Sequence, residues 1–325
     1  MEKSPAATVG GLGEESTFAS YHPLVTFFYF TGVIVLSMFS MNPVFLLLTL
    51  ASSFVYSVLL GGGKAVRFNL LFLIPILFFT AVLNPLSNHR GVTVLFYLNG
   101  NPMTLEAFLY GLSSSAMLIS VVMWFSCFHK IITSDKIIYL FGRVIPVIAL
   151  LLSMCFRFIP LLKNRFREIH EGQQCMGRRY PQKALIKRGR QLAKELSILI
   201  AWSLEAAIET SDSMEARGYG LPGRTSFHIF KFTRRDAKAL ALILALLTAL
   251  AAACLLGVNE IYYYPSITLC APWALTAGAG CVYALLLVLP IIIDVRGERE
   301  WKKWRFTMSD SPIQAANERP WRISI

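Results

Sequence analysis

Apolar positions in this chain gather into long unbroken blocks. Those at 24–40, 43–60, 68–84, 106–128, 237–256 and 270–293 approach the ~20 residues a helix needs to cross a bilayer. Two further runs, 137–162 and 196–208, are apolar but interrupted by charge. The blocks are punctuated by turn-forming stretches such as Ser40-Met41-Asn42-Pro43, Gly61-Gly62-Gly63-Lys64 and Asn84-Pro85, where glycine and the residue before proline leave helical geometry. The pattern predicts an all-α, polytopic helical membrane protein with about six transmembrane helices.

Between the fourth and fifth blocks the pattern changes to two long amphipathic helices. The first runs from about Ile145, through Arg157-Phe158-Ile159-Pro160, to Gly172 or Gly177, apolar at its start and charged at its end. The second runs from about Arg190 to Arg217 and has a defined stop: Met214, Glu215 and Ala216 favour helix, Arg217 sits in the last turn, and Gly218 can take the left-handed conformation. A cation there meets the negative end of the helix dipole. Glu205, Glu209 and Asp212 form an acidic stripe, while Leu196, Leu199, Ser203, Ala206, Thr210 and Met214 form a mainly apolar one. The sequence predicts that the two helices cross, with the acidic stripe near Lys163 and Arg167.

Composition agrees with the blocks: 55% hydrophobic, 15% charged over 325 residues, with mean hydropathy +0.55. The net charge of +12 would suit nucleic acid were it spread over an aromatic-rich face. Instead 20 of the 31 Lys and Arg lie between His129 and Lys238 and 7 follow Ile293, which is the positive-inside bias of a membrane protein; no nucleic-acid partner is expected. The charge rule gives a cytosolic tail over 1–23, membrane helices 1–4 over 24–128, a cytosolic region over 129–236, membrane helices 5 and 6 over 237–293, and a basic cytosolic tail over 294–325, so both termini lie in the cytosol. An alternative puts 145–162 and 196–208 into the bilayer as a hairpin, but Arg157, Glu205 and Glu209 would each cost ~2.5 kcal/mol or more at mid-bilayer.

The candidate chemistry is sparse. Gly61-Gly62-Gly63-Lys64-Ala65 lacks the spacing of a phosphate-binding loop. Six scattered cysteines without a C-x-x-C pair read as small buried hydrophobes, and five histidines outside any ligand spacing read as solvated or interfacial. No metal or cofactor is expected. Asp212-Ser213-Met214-Glu215-Ala216-Arg217 faintly echoes the metal site of membrane phosphatidyltransferases, but the run of aspartates that family needs is missing from the spans.

Met214-Glu215-Ala216-Arg217-Gly218-Tyr219-Gly220, with Arg157-Phe158-Ile159-Pro160 on the preceding helix, resembles the transmembrane T component of energy-coupling factor (ECF) transporters, the family that includes the cobalt transport protein CbiQ. The resemblance covers roughly Asn84 to Gly220 and includes Asn84-Pro85, Thr104-Leu105-Glu106 and Thr133-Ser134-Asp135-Lys136. It implies two long cytosolic coupling helices, each ending in an Ala-Arg-Gly motif that docks on an ATPase. The second motif matches at Ala216, Arg217 and Gly218. The first departs from it: Met176 stands where arginine is expected, before Gly177, with Arg178 and Arg179 following. Arg157, Pro160, Glu205, Glu209 and Asp212 then belong to the framework of the coupling helices. The resemblance implies a non-catalytic subunit in the cell membrane, partnered by two cytosolic ABC ATPases and a substrate-binding membrane S component, serving vitamin or transition-metal uptake. Two rival classes differ in what they require: a membrane enzyme near Asp212 needs metal ligands, and a self-contained transporter needs polar residues lining its spans.

Overall fold

The computed structural model describes residues 16–88, 91–98, 101–142, 145–177, 185–221, 230–259, 261–263, 268–269 and 272–309. The chain divides into two units, Met1–Thr133 with Phe230–Ile325, and Ser134–Ile229. The second falls inside the 129–236 stretch that charge set apart.

In the first unit α1 (Pro23–Phe39) is followed by α2 (Pro43–Ser87), both begun by proline in the first turn. Proline suits that position because its missing N–H would have no helical partner there. Asn42 caps α2 by accepting the Val44 amide at 3.1 Å. One residue, Gly62, leaves helical geometry, with φ +58° and ψ −152°, and the chain reverses there. Asn69 donates to Ser57 at 2.9 Å, although 12 residues of straight helix would span about 18 Å. The arms Pro43–Gly63 and Ala65–Ser87 therefore form a hairpin, closed where the glycine run predicted a turn.

α3 (Leu105–Ile131) packs along α2, and α7 (Arg234–Leu255) and α8 (Trp273–Ser309) complete the unit. At the centre Trp124, Tyr29, Phe30 and Tyr56 are wholly buried, with Phe30 edge-on to Trp124 at 6.2 Å and Tyr29 to Trp124 at 6.1 Å. Such pairs contribute about 0.5–1.5 kcal/mol each beyond area, which matters in lipid, where the hydrophobic effect does little to hold helices together. Two antiparallel hairpins interrupt the all-helical pattern: β1 (Val94–Leu98) with β2 (Asn101–Thr104), and β3 (Ile261–Tyr262) with β4 (Thr268–Leu269). Thr104 caps α3 through the Ala107 amide, and buried Glu106 accepts the Thr93 hydroxyl at 2.8 Å. Asn84 reaches the Ala107 carbonyl at 3.5 Å, so Asn84-Pro85 and Thr104-Leu105-Glu106, distant in sequence, meet.

Three expectations are corrected. The stretch 1–23 is not tail throughout, since Phe18 is fully buried and its amide donates to buried Asp294 at 2.6 Å, with Tyr56 donating to the same carboxylate at 3.1 Å. His22 is buried rather than solvated and caps α1 through Nδ1; burial pushes its imidazole below the usual range, although Asp236 opposes this. Of the cysteines described, only Cys127 is buried, whereas Cys155, Cys175 and Cys281 are exposed, since single thiols on long helices are placed by whichever face the helix packs and not by the apolar character of the run. Cys270 lies outside the described residues.

Among the described residues six helices are long and apolar enough to cross a membrane. Val147–Cys175 is one of them, while Pro23–Phe39, counted as a span from sequence, is shorter at 17 residues. The apolar run 196–208 gives no such helix among the described residues.

In the second unit α4 (Ser134–Gly142) leads into α5 (Pro146–Cys175), and α6 (Leu185–Ala216) packs on α5.

Candidate coupling tips

α5 and α6 lie antiparallel. His170 meets Glu195 at 3.0 Å, Arg165 stacks on Trp202 at 4.9 Å, and Ser153, Met154 and Arg157 share a cleft with Thr210, Ser213 and Met214, so rising numbers on one helix face falling numbers on the other. Their C-terminal tips therefore stand at opposite ends of the pair. The Arg217 tip lies beside Leu150 across the cleft, and the 26 residues from there to Met176 rise about 40 Å along α5.

Both tips end by the same backbone device. At α6 the Gly218 amide donates to Glu215 at 2.9 Å and the Tyr219 amide to Met214 at 3.0 Å, with Gly218 at φ +78°. This is a Schellman stop with Arg217 at the C-cap. At α5 the Gly177 amide donates to Gln174 at 3.0 Å, Gly177 has φ +75°, and Met176 holds the C-cap position. The left-handed backbone strains any residue with a Cβ, so glycine sets both stops. Met176 is 63% exposed. Arg178 and Arg179, candidates to replace the missing arginine, lie outside the described residues.

The cleft beside the α6 tip, about 520 Å³, gathers Arg157, Glu209 and Arg217. Among the described residues neither arginine has a carboxylate partner; Arg157 lies over the Phe158 ring at 5.9 Å. Two guanidinium groups against one carboxylate leave the cleft cationic and able to accept a further carboxylate bidentately. Ala216 and Gly218 flank Arg217, with the Leu221 side chain lying over Gly218. Glu205 and Asp212 are exposed and do not line this cleft, nor does Pro160. Pro160 breaks the hydrogen-bond ladder of α5, since it lacks an amide to donate to Phe156.

The expected pairing of Lys163 and Arg167 with the acidic stripe is absent among the described residues. Arg167 pairs with Glu171 at 3.6 Å within its own helix, and the antiparallel arrangement brings Glu209 to the level of Arg157 instead. What joins the helices is a cluster that sequence reasoning missed. Glu195 is fully buried and accepts from Gln191 at 2.9 Å and meets His170, whose other nitrogen meets Gln174 at 2.8 Å. The signal was present as two i, i+4 polar pairs, His170/Gln174 and Gln191/Glu195, one on each helix. Among the described residues no group of three or more His, Cys, Asp or Glu is placed to hold a metal.

The family model described as cobalt transport protein, CbiQ, matches residues 16–229. The chain is 35% identical over 112 residues to the energy-coupling factor transporter transmembrane protein EcfT of Lactobacillus helveticus, which covers 34% of this chain and 40% of the relative. A similar match to EcfT of Bacillus selenitireducens, 34% identical over 111 residues, covers 34% and 41%. Against EcfT 1 of Listeria monocytogenes the identity is 30% over 192 residues, covering 54% of this chain and 70% of the relative. The chain thus spans about two-fifths of the length of the first two relatives. With both helix tips and the whole second unit inside the matched stretch, this membrane protein belongs to the CbiQ family of cobalt transport proteins.

Proposed function

We propose that this chain is the transmembrane coupling subunit, or T component, of an ECF-type ABC importer. It passes ATP-driven motion from two cytosolic ATPases to a separate substrate-binding S component, for vitamin or transition-metal uptake. The observation that carries this reading is the exposed Arg217, without a carboxylate partner among the described residues, at the C-cap of a Schellman stop, mirrored by a second glycine stop at Met176 about 40 Å away along one antiparallel pair. The names of the EcfT relatives support it. Two separated tips suit two ATPases: each helix end seats in a groove, and the rigid pair converts movement of one ATPase against the other into movement at the membrane. The chain itself needs no catalysis for this role.

The topology belongs to the same proposal. The basic stretch 129–236 and both termini face the cytosol, and the hairpins β1–β2 and β3–β4 face outward. Co-purification tests the function: ATP-binding chains and a small hydrophobic partner should accompany the protein from membranes. Purification alone, with full uptake by cells lacking those ATPases, would overturn the reading. Single cysteines at Lys187 and Asn99, labelled from outside the cell, test topology, with reaction expected at Asn99 and none at Lys187.

A further inference from the structure

We propose that the first unit holds a binding site for an anionic phospholipid, with its phosphate in the cleft between the turn of α2 and the last turns of α3. The cleft encloses about 740 Å³ and is lined by Lys130, His129, Ser126, Thr133, Asn69 and Phe68 among others, with no carboxylate among its lining residues. Lys130 is half-buried and has no acidic partner among the described residues. Its ammonium lies directly against Gly61, where no Cβ would fit. A half-buried cation with hydroxyl and amide neighbours and no counter-charge is a receptor for a phosphate oxygen. Exposed Arg67 brings further positive charge to the same turn.

A phospholipid fits better than a free phosphate because the cleft continues into an exposed apolar stripe. Phe68 (48% exposed), Leu71 (69%) and Phe78 (69%) follow one another along the second arm of α2, with Val82 beyond them. From Phe68 to Val82 the helix rises about 21 Å, more than half the ~30 Å hydrocarbon core. A polar cationic cleft at one end of an apolar stripe has the distribution of charge and oil of a single lipid lying in one leaflet, and basic clefts between membrane helices hold anionic headgroups in this way.

Native mass spectrometry of the full chain in neutral detergent tests the site, with phosphatidylglycerol, phosphatidylcholine or inorganic phosphate added at equal concentration. One phosphatidylglycerol should be retained where phosphatidylcholine is lost. Lys130→Gln should lower that retention about fivefold, the effect of one basic side chain near a lipid headgroup. Ser126→Leu, which fills the cleft without changing charge, should lower it as well, and Lys238→Gln, an exposed cation elsewhere, should not. Thermal unfolding of each variant reports whether the fold is intact. Equal retention of the two lipids, or equal loss with Lys238→Gln and Lys130→Gln, would overturn the site. Retention of inorganic phosphate alone would make it a free-phosphate site, and failure of either lipid to bind while a co-purified protein protects Ser126→Cys from labelling would make the cleft a protein contact.

Discussion

The tips of α5 and α6 are built alike and charged differently. Each ends in a left-handed glycine whose amide returns to the helix, Gly177 at φ +75° and Gly218 at φ +78°. At the C-cap, however, one carries Met176 and the other Arg217. Backbone geometry alone therefore makes a tip of defined shape, and the side chain at a single position decides whether that tip presents a fork of charge or an apolar knob. The surroundings differ too. The α6 tip borders a cleft with Arg157 and Glu209, whereas α5 is anchored one turn before its tip by His170, Gln174 and buried Glu195.

The largest expected effect comes from inverting the charge of the α6 tip. Arg217→Glu should weaken ATPase retention by about 2–5 kcal/mol, the range for disrupting a buried interfacial charge pair, roughly 30-fold or more. Pull-down at two salt concentrations measures it. Wild-type retention would reduce the α6 tip to a structural helix end.

Next comes Glu195→Ala, which leaves His170 and Gln191 without their buried acceptor and should cost about 1–3 kcal/mol. The loosening should concentrate at the α5 end. Amide exchange resolved along both helices should rise near Gln174 more than near Met214; a uniform rise would mean that the cluster holds the whole pair and not one tip.

Gly218→Ala strains the left-handed stop by roughly 1–2 kcal/mol while leaving Arg217 in place. ATPase binding should fall by about tenfold, because the fork would leave its direction. Gly177→Ala should have the smaller consequence for binding, since its C-cap side chain is uncharged.

The smallest effect is expected from Met176→Arg, which gives the α5 tip the charge of its counterpart. Retention should be unchanged or rise by up to about fivefold, near the ~1 kcal/mol of an exposed pair. A sharp loss would show that the α5 tip docks as an apolar knob and that the two ATPase contacts differ in chemistry.

Much of this architecture is legible in sequence because membrane helices and helix stops are local signals. The Gly61-Gly62-Gly63 turn, the proline and Asn42 start of α2, and the glycine stop at Gly218 each follow from the conformational preferences of a few adjacent residues. The pairing of α5 with α6 is not local. Charge periodicity suggested Lys163 and Arg167 against the acidic stripe, but their register is set by Glu195, His170 and the stacking of Arg165 on Trp202, contacts between residues that no spacing rule connects. The burial of Phe18 was hidden for the same reason: its amide meets Asp294 across 276 positions. The two small β hairpins have strands of only two to five residues, too short for a period-two pattern to stand out beside apolar blocks several times longer.

The reversal at Gly62 has a consequence for how the chain is made. Its two arms, Pro43–Gly63 and Ala65–Ser87, are joined without a loop and bonded to each other at Ser57 and Asn69. Inserted separately, the first arm would leave the Ser57 hydroxyl and the second the Asn69 amide in lipid without its partner across the turn, a cost that pairing of the arms removes. The pair is therefore suited to enter the membrane as one preassembled hairpin, and an insertion that lengthens the turn would let the arms arrive separately and give the ribosome-bound chain a route to the wrong topology.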